Sequence, residues 1–173
     1  MSHTSTYETP FRRRREDKTN YVKRFAMLKS GMPRLVVRKS NNTTIVQLAE
    51  FVEKGDVMLA VANSHELKAL GWKGHGGNLP AAYLTGMLCG KRALDGKFKG
   101  NEGGVIADIG LNTPVHGSRV FAAIKGAIDA GLKVKCDEKA FPAEDRIGGK
   151  HISDDVAAQF SAVKDAIAKK GDK

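Results

Sequence analysis

The sequence predicts an α/β protein in which helices pack on a mixed sheet, with core elements in the order β-β-β-α-β-α-β. Two patterns support this fold class. Three β-branched or apolar segments joined by short turns predict strands at residues 34–39, 43–52 and 57–62. Two further strands, at 105–111 and 132–136, alternate with helical patterns, so this second half of the sheet is expected to be parallel with right-handed crossovers.

The first three strands are predicted to form an antiparallel meander. Residues 34–39 read RLVVRK, and the asparagine pair at 41–42 is a turn signal. Alternating β-branched and apolar residues follow at 43–52, and EKGD at 53–56 predicts a second turn before VMLAVA. Connections this short join antiparallel neighbours.

Two helices are predicted between the later strands. The first opens near Asn78, tolerates Pro80 in its first turn, and carries Gly86 and Gly90 one turn apart, which predicts close packing of this helix on a sheet. The second spans 118–131 and ends with Gly131 at its C′ position. Their apolar stripes are Tyr83, Leu84, Met87, Leu88 and Leu94 in the first and Val120, Phe121, Ile124 and Ile128 in the second.

The chain divides into three segments. Residues 1–30 form a basic arm with a disordered tip, 31–136 form the α/β core, and 137–173 comprise an irregular segment and a C-terminal amphipathic helix. Within the arm, Tyr21, Phe25 and Leu28 have helical spacing, which is compatible with a short helix that forms on a partner, and SGMP at 30–33 ends that helix. Ser153 caps the last helix, whose apolar stripe is Val156, Phe160, Val163 and Ile167.

Positive charge is concentrated near the N-terminus. The net charge is +10, and eleven Lys or Arg but only two Asp or Glu lie between residues 11 and 40. Such asymmetry indicates a polyanionic partner. Arginine offers a planar fork to phosphate, and aromatic rings can stack on unpaired bases, so Arg12–Arg15 interleaved with Tyr21 and Phe25 are typical of an RNA-binding track.

The basic track continues into the core. Arg34, Arg38 and Lys39 extend it along the first strand, and SNN at 40–42 adds small polar donors for phosphate or 2′-hydroxyl groups. Lys73 and His75, in the glycine-rich GWKGHGGN segment, are either further phosphate ligands or part of an ordinary flexible loop.

Other functional classes are poorly supported. Cys89 and Cys136 have no zinc-ligand spacing, GMLCGKR at 86–92 lacks the spacing of a phosphate loop, and no serine lies in a nucleophile elbow. No apolar run is long enough to span a bilayer, and the first residues do not form a secretory signal.

No catalytic residue, metal site or cofactor is expected. The enzymatic alternative is a metal-dependent nuclease using Glu50, Asp56 and Asp108, which do not obviously converge. A free RNA chaperone is a third hypothesis.

Four motifs in order, TPFRRRREDKTNY, PRLVVRKSNN, DIGLNTPVHGSRVFAAIKGAIDAGL and FPAEDRIGGKHI, resemble the 5S-rRNA-binding ribosomal protein eighteen family of the large subunit. The likeness is to its archaeal branch, akin to the eukaryotic large-subunit protein numbered five, and covers roughly residues 7–152. It implies a non-catalytic domain of ribonuclease-H-like topology in the cytoplasm, within the ribosome. It also implies binding to 5S rRNA in the central protuberance and contacts with large-subunit rRNA and neighbouring ribosomal proteins.

The resemblance also implies which residues contact RNA. It implies that the arm and the strand tip carry most of the contacts, and that weaker candidates lie in the HGSR turn and in RIGGKHI. These residues are Arg12, Arg13, Arg14, Arg15, Lys18, Tyr21, Lys23, Arg24, Arg38, Lys39, Ser40 and Asn41, followed by His116, Arg119, Arg146, Lys150 and His151.

Overall fold

The sheet contains five strands, β1 (Arg34–Lys39), β2 (Thr44–Val52), β3 (Gly55–Asn63), β4 (Val105–Asp108) and β5 (Val134–Lys135), in the spatial order β3-β2-β1-β4-β5. The computed structural model describes residues 8–96, 98 and 103–170. Residues 1–7 of the predicted tip, part of the predicted 95–104 loop and residues 171–173 lie outside the described residues.

The strand directions confirm a mixed sheet. β1 pairs antiparallel with β2 and β2 with β3, whereas β4 is parallel to both β1 and β5. Along β1 the side chains alternate between faces, so Leu35 and Val37 point into the core while Arg34 and Arg38 share the other face. Because of this alternation, Arg34 and Arg38 are the basic side chains of β1 that lie on the face opposite the core, where the N-terminal arm can contact them.

The last two strands are shorter than predicted. β4 ends at Asp108 because the Asp108 carboxylate accepts a hydrogen bond from the Gly110 N–H at 2.8 Å, and Gly110 has a φ of +63° that turns the chain. β5 begins late because the Leu132 N–H donates to the Ala127 carbonyl at the end of the preceding helix. Both changes come from local hydrogen bonds that apolar periodicity does not reveal.

Three long helices build the core on one side of the sheet. α3 (Leu79–Asp95) contacts β2 and β3, α4 (Arg119–Asp129) contacts β1, and α6 (Asp154–Lys170) packs on α3. Asn78 caps α3 by accepting a hydrogen bond from the Ala81 N–H at 2.9 Å, as its position predicts. The predicted stripe of α6 is also confirmed, because Phe160, Val163 and Ile167 are buried and Val156 packs beside them.

Helix α3 packs on the sheet as predicted, through β2 and β3, but its two glycines face α4. A Cβ at Gly86 would lie 1.9 Å from the Ala123 carbonyl oxygen, and one at Gly90 would lie 2.7 Å from the Ala130 Cβ. Gly126 on α4 matches them, since its Cβ would lie 2.0 Å from the Tyr83 carbonyl oxygen. The two helix backbones therefore touch directly at these small residues.

The segments expected to lack regular structure contain short helical turns. Ser64–Leu70 is a 3₁₀ helix opened by a capping box between Asn63 and Glu66, and Glu138–Ala140 and α5 (Glu144–Ile147) are single turns. Within the described ranges, none of the helices combines the length and hydropathy that crossing a bilayer requires.

Candidate RNA interface

The basic arm folds into two short helices, α1 (Arg12–Arg15) and α2 (Tyr21–Leu28). The Asn20 side chain caps α2 by accepting a hydrogen bond from the Lys23 N–H at 3.0 Å. The connection between the helices is held by a hydrogen bond from Arg13 Nε to Thr19 Oγ1 at 2.8 Å and by the rings of Phe11 and Tyr21, whose centroids are 5.4 Å apart. The helix predicted around Tyr21 is present in the chain alone, whereas the sequence predicted that it forms on a partner.

The side chains of α1 are exposed. Within the described part of the chain, Arg12, Arg14 and Arg15 form no ion pair, and Lys18 pairs with Glu16 at 2.8 Å. An exposed pair of this kind contributes little, because water and salt screen it. The guanidinium groups of α1 are therefore available to an anionic partner.

Behind α2, three arginines and two aspartates form a continuous ion-pair network. We call Arg24, Arg34, Arg38, Asp56 and Asp108 the arginine network. Arg24 donates to both carboxylate oxygens of Asp56, at 3.0 and 2.9 Å. Arg34 lies between the two acids, with nitrogens 2.8 Å from Asp56 and 3.0 Å from Asp108, and Arg38 reaches Asp108 at 3.1 Å.

The structure places Arg34, a predicted RNA ligand, in the interior and not on the surface. Its side chain is only 2% exposed, and its guanidinium group faces two carboxylates of the core. A buried charge is tolerated when it is paired in this way, so Arg34 joins strands β1, β3 and β4 and does not contribute to the surface. Arg38, on the same face of β1, keeps 44% of its side chain exposed.

Contacts with arginine hold Asp56 in its charged form. Burial would raise the pKa of Asp56, but the hydrogen bonds from Arg24 and the positive charge of Arg34 at 2.8 Å outweigh it and bring that pKa below the usual 3.8. Arg38 also donates to the backbone carbonyl of Asp108 at 2.8 Å, so its guanidinium group has a fixed position.

Sequence reasoning missed the structural role of Gly110. A Cβ there would lie 2.9 Å from Arg38 Cζ, and the φ of +63° is one that other residues rarely adopt. The glycine therefore leaves room for the Arg38 side chain beside Asp108. The signal in the sequence is a glycine two residues after the acid that ends a buried strand.

A cavity of about 760 Å³ lies between the arm, the ends of β1 and β4, and the loop at residues 110–112. Five basic side chains line it, and we call them the arm cluster: Arg13, Lys18, Lys23, Arg24 and Arg38. Tyr21, Thr19, Asn20 and Asn112 add an aromatic ring and polar groups. Asp56 and Asp108 also line the cavity, but the five basic side chains outnumber them, so the cavity still offers the positive charge and the ring that a nucleic acid strand would use.

A second group of predicted residues meets at the β1–β2 turn. We call Ser40, Asn41, His75 and Arg119 the tip cluster. Arg119 donates to the carbonyls of Ser40 and Gly77, and His75 Nδ1 accepts a hydrogen bond from the Gly77 N–H at 3.1 Å. A Cβ at Gly77 would lie 2.1 Å from the Asn41 carbonyl oxygen, so the glycine-rich segment packs tightly against this turn.

The remaining predicted residues lie on the surface outside these two groups. Lys39, Lys73, His116, Arg146, Lys150 and His151 are exposed. Lys150 is paired with Asp145 at 2.9 Å, and the Lys73 N–H donates to Gln159 on α6. The structure therefore gathers the arm and tip residues and leaves this third set dispersed.

The acids of the nuclease hypothesis do not form a metal site. Asp56 and Asp108 do converge, contrary to our expectation, but they converge on the positive charge of Arg34. Glu50 is exposed, and the described residues contain no group of three His, Cys, Asp or Glu able to hold a metal ion. Cys89 and Cys136 are free thiols, and burial raises the pKa of Cys89 to about 12.

Comparison with known proteins points to one family. Residues 5–103 match the family described as "Ribosomal large subunit proteins 60S L5, and 50S L18". A relative from Thermofilum pendens (strain DSM 2475 / Hrk 5), named "Large ribosomal subunit protein uL18", is 51% identical over 153 residues, which are 88% of this chain and 76% of the relative. The family match includes both arm helices, the β1–β3 meander and α3.

Proposed function

The chain belongs to the family of large-subunit ribosomal proteins that contains 60S L5 and 50S L18, and from this premise we propose that it binds 5S rRNA and helps to attach it in the central protuberance. It is a structural, non-enzymatic component of the large ribosomal subunit. Its partners in this proposal are 5S rRNA, large-subunit rRNA and neighbouring proteins of the subunit.

One observation carries the proposal. Basic side chains from two distant parts of the sequence, the arm and the end of β1, line a single cavity beside the exposed arginines of α1. Neutralising phosphates with such groups releases counterions, which supplies much of the affinity for RNA. A surface built from several elements also selects RNA by shape, because the contacts must be made simultaneously.

We propose distinct roles for the predicted RNA-binding residues. The α1 arginines and the arm cluster bind phosphates, and Tyr21 stacks on a base. The tip cluster supplies hydrogen bonds to phosphate or ribose, and Lys39, Lys73, His116, Arg146 and Lys150 make peripheral contacts. Arg34 is removed from this set because it is buried between two carboxylates.

The finer description of the fold is part of the same proposal. We assign the core to ribonuclease-H-like topology, which is supported by an antiparallel β1–β3 meander followed by two parallel strands on the far side of β1. We also propose the division into a 1–30 arm, a 31–136 core and a 137–173 segment. The last segment shares the core, since α6 buries Phe160, Val163 and Ile167 against it.

The test is binding of the full chain to transcribed 5S rRNA as salt is raised. With about 6–10 phosphate contacts, affinity should fall on the order of 10³-fold or more between about 50 and 200 mM salt. Deleting residues 1–24 should weaken binding while the remaining chain still unfolds cooperatively. A flat salt response, or a truncated chain that binds as tightly as the full one, would contradict the proposal.

A further inference from the structure

We propose that Asp56 is a positioning residue: it docks the arm on the sheet before RNA binds, and so strengthens RNA binding although its own negative charge repels phosphate. This inference rests on the proposed function, because it assumes that the arm binds RNA. It adds a role for an acidic residue that neither the charge pattern nor the family resemblance indicates.

The contact between Asp56 and the arm is specific. Asp56 lies near the start of β3, and Arg24 lies on α2, 32 positions earlier in the sequence. One guanidinium nitrogen of Arg24 donates to both carboxylate oxygens, at 3.0 and 2.9 Å. The side chains are 32% and 20% exposed, so water screens this pair less than an ordinary surface pair.

Arg34 fixes the carboxylate that receives the arm. Its side chain is 2% exposed, and it contacts Asp56 at 2.8 Å from one side and Asp108 at 3.0 Å from the other. Because Arg34 is held between strands, Asp56 cannot rotate freely, and it presents its oxygens to α2 in one orientation. The buried arginine thus makes Asp56 a rigid anchor point.

Apolar packing offers α2 little alternative attachment. No residue of α2 is buried: Val22 and Phe25 are 75% and 64% exposed, and Met27 and Leu28 are only half-buried. Among the described residues, the side-chain hydrogen bonds that join α2 to the sheet are the two from Arg24 to Asp56. An eight-residue helix is marginal without tertiary contacts, so loss of this pair should release it.

The sign of the effect separates positioning from simple electrostatics. Removing a negative charge from a surface that binds a polyanion should strengthen binding if only net charge matters. If the docked arm is the binding-competent state, binding instead weakens in proportion to the docked fraction. For an arm that stays docked about one tenth of the time, affinity falls about tenfold.

The experiment compares Asp56→Asn with Glu50→Gln in the full chain, using transcribed 5S rRNA as the probe. Glu50 is exposed, pairs in register with Val57 of β3, and makes no contact in the arginine network, so it is a matched removal of one negative charge. We expect Asp56→Asn to bind about tenfold more weakly with an unchanged salt slope, because no phosphate contact is lost. Glu50→Gln should bind as tightly as the parent or more tightly.

Hydrogen exchange shows whether the arm has been released or the fold has been damaged. We expect the backbone amides near the end of α2 to exchange faster in Asp56→Asn, while those of α3 keep the protection they have in the parent. Arg24→Gln breaks the same contact from the arm side and leaves the pair between Asp56 and Arg34 intact. It should therefore accelerate exchange in α2 to a similar extent, even if Asp56→Asn perturbs the core.

Two results would overturn the inference: Asp56→Asn binding RNA at least as tightly as the parent, or α2 exchanging equally fast in the parent and in Arg24→Gln. Failure of the parent itself to bind 5S rRNA would overturn the proposed function and the RNA part of this inference. The exchange measurement does not involve RNA, so it tests docking of the arm separately.

Discussion

Helices α2 and α3 differ in how they are attached to the rest of the protein. In α3, 13 of 17 residues are buried, and glycines bring its backbone into contact with α4. In α2, none of the eight residues is buried, and the ion pair between Arg24 and Asp56 joins it to the sheet. We therefore expect stability to reside mainly in the α3–α4 pair and propose that RNA binding resides in the arm. This separation predicts that the two properties can be altered independently.

The largest expected effect is on binding, from replacing Arg12, Arg13, Arg14 and Arg15 together with Gln. If each contacts one phosphate, the salt slope should fall by about 3–4, and affinity at low salt should fall on the order of 10³-fold. Because no residue of α1 is buried, the unfolding midpoint should not change. Filter binding across a salt series and urea unfolding measure the two quantities.

The matched control removes four positive charges from the exposed surface outside the proposed interface, by changing Lys68, Lys135, Lys139 and Lys169 to Gln. The net charge change is identical, so a purely long-range effect would weaken binding equally in both variants. An equal loss in the two variants would show that the arm has no special role, and would remove the distinction between the arm and the α3–α4 pair.

The next effect is on stability, from Gly86→Ala in α3. Alanine is a better helix former than glycine by about 1 kcal/mol, but its Cβ would lie 1.9 Å from a backbone oxygen of α4 that no rotamer change can move. We expect a net destabilisation of about 3 kcal/mol in urea unfolding, with RNA affinity of the folded protein nearly unchanged. Gly103→Ala is the control, because a Cβ there meets nothing within 4 Å. Equal unfolding midpoints for the two variants would refute direct packing between the backbones of α3 and α4.

The sequence predicts correctly those features that depend only on residues close together in the chain. The strand at 34–39, the cap at Asn78 and the stripe of α6 depend on neighbouring residues, and the structure agrees with all three. Arg34 and Arg38 are locally alike, since both lie on the same face of one strand. Only distant acids, Asp56 and Asp108, distinguish the buried arginine from the half-exposed one.

The same limit applies to the glycines of α3 and to the candidate interface. Their spacing indicates a close approach, but the identity of the partner element depends on which helix lies alongside. The charge pattern predicts the basic arm. It does not predict that the arm is attached through an acid, because an acidic residue is expected to repel RNA. Long-range pairing of this kind requires the fold.

Arg119 tests whether the tip cluster belongs with the arm or with the core. It is the first residue of α4, and it donates to the carbonyls of Ser40 and Gly77. Arg119→Gln should cost about 1 kcal/mol of stability, because one or both carbonyls lose a charged donor, and about fivefold in RNA affinity, because the turn is less well positioned. Lys125→Gln removes the same charge from the same helix; if it matches Arg119→Gln in both assays, the tip cluster has no role of its own.

The smallest expected effect is on the pH dependence of stability, and it concerns the attachment of the arm. The pKa of Asp56 is lowered in the folded protein, so its pairing adds stability that is fully present above about pH 3.8, the value expected in the unfolded chain, and is lost as the pH falls through the folded-state pKa. Asp56→Asn lacks this contribution at every pH. The difference in unfolding free energy between parent and variant should therefore be constant near neutral pH and shrink below about pH 3.8.

Urea unfolding of both proteins from pH 7 to pH 3 measures the difference directly, and other carboxylates cancel because both proteins contain them. A difference that stays constant down to pH 3 would mean that Arg24 and Arg34 do not hold Asp56 ionised, and α2 would then lack the attachment that distinguishes it from a free arm.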